Sequence, residues 1–362
     1  MASSLQVMKM CNAFAHNGHK VLLLAPERPD IQQKDIEDVY KFYDVKNLFD
    51  IKRVKFMDKL LSSIFSKKIV YSITIIKDIK TYNPDLVYGR LIIGCFVAAF
   101  MGYNVILELH NKVPSRFDRF LLKILKKSKK LKKLVAVTNT LRQYCMDNLK
   151  INEQKIYVIP SGTDEVVNFD EKADLKKREA LQIGYVGNLY KGKGVEIIIS
   201  LAEKLPKVDF HIVGGTKKDI SFWKAQCNLP NIYFYGFVPP YNLHKYINAF
   251  DICLLPNQKV VFGSIQDKKN PKANIGDITC PLKMFQYMAH KKPIIASDLP
   301  VLREILNEKN AFLVPPDDIN AWFKAIKLLK DNNDLRKTIA NNAYQDFINN
   351  YTWIQRAEKV IL

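Results

Sequence analysis

The sequence predicts an α/β protein built from two doubly wound, Rossmann-like parallel-sheet domains. Continuous apolar strands alternate with helical segments along most of the chain, they fall into two series, and a polar stretch near 165–179 separates the series. Continuous apolar strands between helices mean parallel sheets covered on both faces. The length of 362 residues points the same way, since one domain takes roughly 100–200 residues. Hydrophobic residues make up 48% and charged residues 25%, which excludes disorder as the main state.

In chain order, residues 5–15 carry apolar side chains at helical spacing. Gly18 closes that helix, because glycine takes the left-handed cap cheaply. Residues 21–25 (VLLLA) form a strand, and strands follow at 85–88, 105–109, 134–137 and 156–159 with helical segments between. The second series has strands at 183–186, 210–213, 232–235, 252–255, 293–296 and 311–314. No internal repeat is visible at a period of roughly 20–50 residues. The most apolar stretch, 91–109, is broken by Gly102-Tyr103-Asn104 and ended by Glu108. It reads as a buried helix (91–101), a turn and a buried strand, because a membrane span needs ~20 uninterrupted apolar residues. The opening MASSLQVMKM has neither the cationic start nor the apolar core of a signal peptide. The chain opens inside a helix, where a doubly wound domain has a strand first. Either the start lies upstream or this sheet lacks its first strand, and the loop after that strand is one place where such folds hold ligands.

Six cysteines are scattered without a close pair, which excludes a disulfide scaffold and a zinc ribbon and suits a reducing cytoplasm. The net charge of +20 favours an anionic partner: nucleic acid, a phosphorylated ligand or an acidic membrane surface.

Two segments of the second series have the chemistry of an anion site. The strand at 183–186 runs into Gly187-Asn188-Leu189-Tyr190-Lys191-Gly192-Lys193-Gly194 and then a helix at 195–203. Unpaired N–H groups at a helix start point outward, the macrodipole favours negative charge by ~0.3–1 kcal/mol, and glycines let the backbone come close. An ordinary strand–helix turn with surface lysines is the plainer reading of the same residues. Later, Asp277-Ile278-Thr279-Cys280-Pro281-Leu282-Lys283 leads into a helix at 284–289, with Pro281 placed where a missing N–H does no harm. A capped helix before a core strand is its plainer reading.

Three segments now stand in order: GYVGNLYKGKGVE, NIYFYGFVPPYNLHKYINAFDICLLP and CPLKMFQYMAHKKPIIASDLPVLREIL. Together they resemble the donor domain of glycosyltransferase family 4, retaining nucleotide-sugar enzymes of GT-B fold. The N-terminal half agrees through MKMCNAFAHNGHKVLLLAP, NPDLVYGR, LELHNKVP and IPSGTD. The resemblance implies an acceptor-binding domain at 1–165, a donor-binding domain at 166–345, and a C-terminal helix at 346–362 crossing back, with a cleft between the domains. It implies a nucleotide-sugar donor, UDP-linked in the usual case. The acceptor would be lipid-linked or a glycan, in surface-polysaccharide or lipopolysaccharide-type biosynthesis at the cytoplasmic membrane face.

Residue by residue, Lys193 matches the lysine that contacts the donor diphosphate. Asn188 stands where many members have arginine, so Lys191 or Lys283 is the expected replacement cation. Gly236, Phe237 and Val238 match the segment bordering the nucleobase. Thr279, Cys280, Pro281 and Leu282 match the loop whose N–H groups hold the phosphates. Gln286 replaces the glutamate that bonds the ribose hydroxyls, and an amide still offers an acceptor. A second family glutamate falls on Ile278, and adjacent Asp277 replaces it only if the loop shifts by one residue. His110 matches a histidine facing the transferred sugar, and its plainer reading is a loop cap. Glu108 reads as a loop-ordering carboxylate. Arg90 reads as an anion-binding group for the acceptor or as a surface arginine.

The implied mechanism needs no cofactor and no metal. N–H groups and Lys193 stabilise the departing diphosphate, and the leaving phosphate takes the acceptor proton, with retention of configuration. No Asp-x-Asp pair and no His/Cys cluster is present.

Between Lys112 and Lys133 lie ten basic residues and one acid, Asp118. An apolar stripe of Phe117, Phe120, Leu121, Ile124 and Leu125 runs among them, with Arg116, Arg119, Lys123, Lys126 and Lys127 flanking it. This suits an anionic membrane surface; core packing with solvated lysines is the alternative. Residues 54–68 carry a second amphipathic pattern, read as core packing. Three rivals remain. A Rossmann oxidoreductase needs a G-x-G-x-x-G spacing that is absent. A nucleic-acid-binding protein needs a recognition motif that is absent, so no nucleic-acid partner is expected. A catalytically inactive GT-B nucleotide-binding protein would account for Asn188, Gln286 and Ile278.

Overall fold

The structure, a computed structural model, describes all residues except 1, 28–35, 56–66, 114, 177–179 and 262–273. The chain divides into two compact units, one of 7–40, 45–160 and 357–362, the other of 1–6, 41–44 and 161–356.

Among the described residues the first unit contains six strands: β1 (Leu22–Pro26), β2 (Asp50–Val54), β3 (Leu86–Gly89), β4 (Asn104–Leu109), β5 (Leu131–Ala136) and β6 (Ile156–Val158). All their pairings are parallel, but they form two sheets, β1-β2 and β3-β4-β5-β6. Among the described residues no pairing joins the two sheets, and this break separates β1 from β3. The strands flanking the break are apolar yet only half-buried, whereas Val105, Leu107, Leu134 and Val135 in β4 and β5 are fully buried. Strand β2 (DIKRV) escapes sequence reading because its alternation is polar and mostly exposed. Its last residue is Val54, so the expected helix at 54–68 does not begin there; residues 56–66 of that expectation lie outside the described residues. A helix then runs from Lys67 to Tyr82. Lys133, read as part of the basic arm, is buried in β5, and its ammonium donates to the Val360 carbonyl at 3.3 Å.

The second unit carries β7 (Leu181–Val186), β8 (Val208–Val213), β9 (Ile232–Gly236), β10 (Ile252–Leu255), β11 (Ile294–Ser297) and β12 (Phe312–Val314) in one parallel sheet. The spatial order β12-β11-β10-β7-β8-β9 is the dinucleotide-fold order, which reverses between β7 and β10. Alternate residues serve opposite cores. Ile183, Tyr185, Phe210, Ile212, Ile252 and Leu254 pack on the helices Val195–Lys204 and Ile319–Asp331. Val186, Val213, Cys253 and Leu255 pack on the helices Leu282–Ala289 and Asn333–Asn350. Both sheet faces are therefore covered, and the carboxyl edge is left as the place for polar chemistry.

Candidate functional site: a lysine pair at the carboxyl edge

At the β7/β10 reversal, strand β7 leaves the sheet through Gly187 at φ 143°. The Gly187 amide donates to the Val213 carbonyl at 2.9 Å, and Gly214 packs so closely that a Cβ there would stand 2.2 Å from the Gly187 carbonyl. The turn then passes Leu189, fully buried, and returns through Gly192 (φ 83°) and Gly194 (φ 89°) to the helix Val195–Lys204. These two glycines lie on the backbone that follows β10. A Cβ on Gly192 would meet the Val260 carbonyl at 2.0 Å, and one on Gly194 the Pro256 carbonyl at 2.1 Å. Both neighbours are backbone and cannot swing away. Gly194→Ala should lower unfolding stability by more than ~1 kcal/mol, read as a lower urea midpoint with unchanged slope.

Lys193 is half-buried in this turn, and burial pushes its pKa down to about 8. Lys283, in the first turn of the helix Leu282–Ala289, is buried outright, and its Nζ has no hydrogen-bond partner among the described residues. That amine sits 3.5 Å above the centre of the Tyr185 ring, and a Cβ on Gly187 would be 3.3 Å from it. Burial, and then the Lys193 ammonium, hold the Lys283 pKa far below the ordinary lysine range. Tyr185 is itself fixed, its hydroxyl donating to the Asn188 carbonyl at 2.7 Å. Tyr287, one helical turn after Lys283, accepts the Val186 amide at 2.8 Å and ties that helix to β7. Lys193 and Lys283 thus lie close enough to repel one another, and Lys283 stands in a first turn whose Leu282 and Lys283 amides have no intrahelical acceptor. This set can hold a multiply charged anion, with each new charge-assisted bond relieving a desolvated amine.

The remaining sequence candidates fall as follows. Asn188 and Lys191 are exposed. Gly236 (φ 73°) ends β9, Val238 is half-buried, and Phe237 is exposed with its ring stacked on Phe42. The Thr279 hydroxyl is committed to the Ile275 carbonyl at 2.5 Å, and Cys280 Sγ accepts the Ser161 amide at 3.4 Å. Pro281 has no N–H, so the loop supplies fewer donors than its length suggests. Ile278 is buried and Asp277 is exposed, so the loop does not shift to bring the carboxylate inward. Gln286 is half-buried; its backbone carbonyl accepts His290 Nδ1 at 2.7 Å. Burial lowers the His290 pKa to about 4, so that ring is neutral. Sequence reasoning missed Tyr185, Tyr287 and Gly214. Only the two adjacent glycines after β8 offered a signal, as a place where backbones approach.

In the first unit, Glu108 is buried at the end of β4 and accepts from Tyr88 Oη and from His110 Nε2. A carboxylate that accepts from both holds the imidazole with its proton on Nε2. Glu108 therefore orients His110, as a loop-ordering carboxylate would. Arg90 follows β3 and is half-buried. Arg116, Arg119, Lys123 and Lys127 are exposed on the helix Arg116–Leu125 and just beyond it. Lys126 departs from the expected outward set. Its ammonium donates to the Leu149 and Lys150 carbonyls, both at 2.8 Å, where it caps another helix end.

Residues 4–166 match Glycosyltransferase Family 4, and residues 167–346 match Glycosyl transferases group 1. The chain carries this tandem pair of glycosyltransferase domains on a fold of the GT-B type. An uncharacterised glycosyltransferase of Methanocaldococcus jannaschii is 27% identical over 259 residues, 68% of this chain and 61% of that protein. The alpha-galactosylglucosyldiacylglycerol synthase of Streptococcus pneumoniae is 24% identical over 163 residues, 43% of this chain and 38% of that one. The chain thus spans less than two thirds of the length of these curated relatives. Among solved structures, Anabaena HepE in complex with UDP and glucose aligns with a TM-score of 0.68 at 15% identity, over 99% of this chain and 94% of that one.

Proposed function

We propose that this chain transfers a hexosyl group from a nucleoside-diphosphate sugar, with UDP as the nucleotide, to a hydroxyl of a lipid-linked or polysaccharide acceptor. The reaction retains anomeric configuration and takes place at the cytoplasmic face of the membrane, in surface-polysaccharide or glycolipid synthesis. The observation that carries the reading is the unpartnered amine of Lys283 beside the Gly187 turn, coupled to Lys193. Glu196, at the start of the helix Val195–Lys204, accepts the Gly192 amide on Oε1 at 3.2 Å. Two desolvated amines that repel one another are costly unless an anion meets them. A diphosphate supplies two charges at that spot.

Lys193 and Lys283 stabilise the charge that grows on the leaving diphosphate, and the first-turn amides of Leu282 and Lys283 add fixed donors. Lys283 takes over the role expected of an arginine at Asn188. With the charge met by the protein, no metal step is invoked. The leaving phosphate accepts the proton of the attacking hydroxyl, so no protein base is required. His110, held by Glu108, offers a sugar hydroxyl a hydrogen-bond partner. Gln286 serves the ribose, and Gly236 to Val238 border the base.

A thermal-shift series with UDP, GDP and ADP tests the donor assignment. UDP at about 100 times its Kd should stabilise the chain by ~2.7 kcal/mol, with smaller effects from GDP and ADP. No response to any nucleoside diphosphate sinks the proposal. The absence of an inward carboxylate at Ile278 favours one second reading, a nucleotide-binding protein without turnover. UDP binding with no sugar transfer to any acceptor identifies it.

A further inference from the structure

The helix Arg116–Leu125 has two apolar stripes, and only one of them faces the core. Leu121, Leu122 and Leu125 are buried, while Phe117, Phe120 and Ile124 are 47%, 57% and 45% exposed. The exposed three lie at i, i+3 and i+7, so at 3.6 residues per turn they form one continuous stripe. Arg116, Lys123 and Lys127, all exposed, occupy the stripe beside it. The single acid of the segment is turned the other way. Asp118 is buried at the helix start, its amide bonded to the Ser115 cap at 3.2 Å. About half of each of these three apolar side chains is left in water, in one stripe beside the cations. A purely electrostatic partner would need the cations alone, and a purely apolar one would not want them.

We propose that this face docks on an anionic lipid bilayer, with Phe117, Phe120 and Ile124 entering the headgroup–acyl boundary and Arg116, Lys123 and Lys127 meeting lipid phosphates. Apolar insertion beside a row of cations is the pattern of an interfacial helix. Each cation raises partitioning by about five-fold at an anionic surface and loses that gain at high salt. Among the described residues no helix is long and apolar enough to cross a membrane, and docking of this kind needs none. The inference deepens the reading of a membrane-held acceptor, yet it is measured without any transfer reaction.

The full chain is floated with phosphatidylcholine vesicles and with vesicles of phosphatidylcholine and phosphatidylglycerol, at low and high salt. Binding should require phosphatidylglycerol and weaken on adding salt. Phe117→Ser/Phe120→Ser/Ile124→Ser alters side chains that are about half exposed, so a modest fall in melting temperature is expected. It should still fold cooperatively and keep the UDP response while losing vesicle binding at least ten-fold. Arg116→Gln/Lys123→Gln/Lys127→Gln should bind weakly and with little dependence on salt. A serine variant that binds vesicles as tightly as wild type overturns the proposal. So does a wild-type chain that floats with neither vesicle, or one whose anionic binding is met equally by a single-stranded RNA and is indifferent to the serine changes. Normal UDP stabilisation alongside failed flotation would leave the donor assignment standing and remove only this face.

Discussion

Lys283→Met should raise the melting temperature of the unliganded chain and weaken UDP binding in the same protein. The amine is buried, lacks a hydrogen-bond partner and sits on the Tyr185 ring beside a second lysine. Leaving such a group unsatisfied costs ~1–3 kcal/mol, and methionine fills similar space with a thioether that packs well on an aromatic ring. The unliganded chain should therefore gain stability of that order. A charge-assisted bond to phosphate is worth ~1.5–3 kcal/mol, so UDP affinity should fall by ~10–100-fold. The opposite signs are the diagnostic. A variant that loses both stability and affinity would mean that Lys283 is a structural residue, and one that keeps UDP affinity would remove it from the phosphate site.

Lys193→Ala should lower turnover by on the order of 10²–10³, the loss expected when one preorganised transition-state donor is removed. Near-normal turnover would refute the assignment. The wild-type chain should also show a pH signature. The folded Lys193 pKa stands at about 8, below the ordinary 10.5. Between those values the unfolded chain holds a proton that the folded chain has released, so the stability of the unliganded chain rises with pH across that window. UDP affinity moves the other way, because the diphosphate needs the ammonium. The UDP-induced shift in Tm should therefore shrink as pH climbs past about 8, and Lys193→Met should flatten this dependence. An unchanged shift from neutral pH to pH 10 would mean that Lys193 does not meet the phosphates.

The linear sequence by itself determined the two parallel-sheet series, because an apolar strand buried on both faces writes its character into consecutive residues. Strands β3 to β12 lie within a few residues of their expected places for this reason. It also determined the two loops of the anion site, since glycines, lysines and a helix start are local features. Strand β2 was lost because an exposed polar strand carries no such signature. Three matters waited for the tertiary structure. The sequence shows one broad apolar stripe at 117–125, and only packing decides that Leu121, Leu122 and Leu125 turn inward while Phe117, Phe120 and Ile124 face water. Ile278 inward and Asp277 outward is a choice of loop register. The most consequential is Lys283, which the sequence offers beside Lys191 as a replacement cation without deciding between them. Its burial depends on Tyr185 and Gly187, nearly a hundred residues earlier, meeting the helix Leu282–Ala289 across the sheet. Desolvation is a property of that meeting, and no local pattern encodes it.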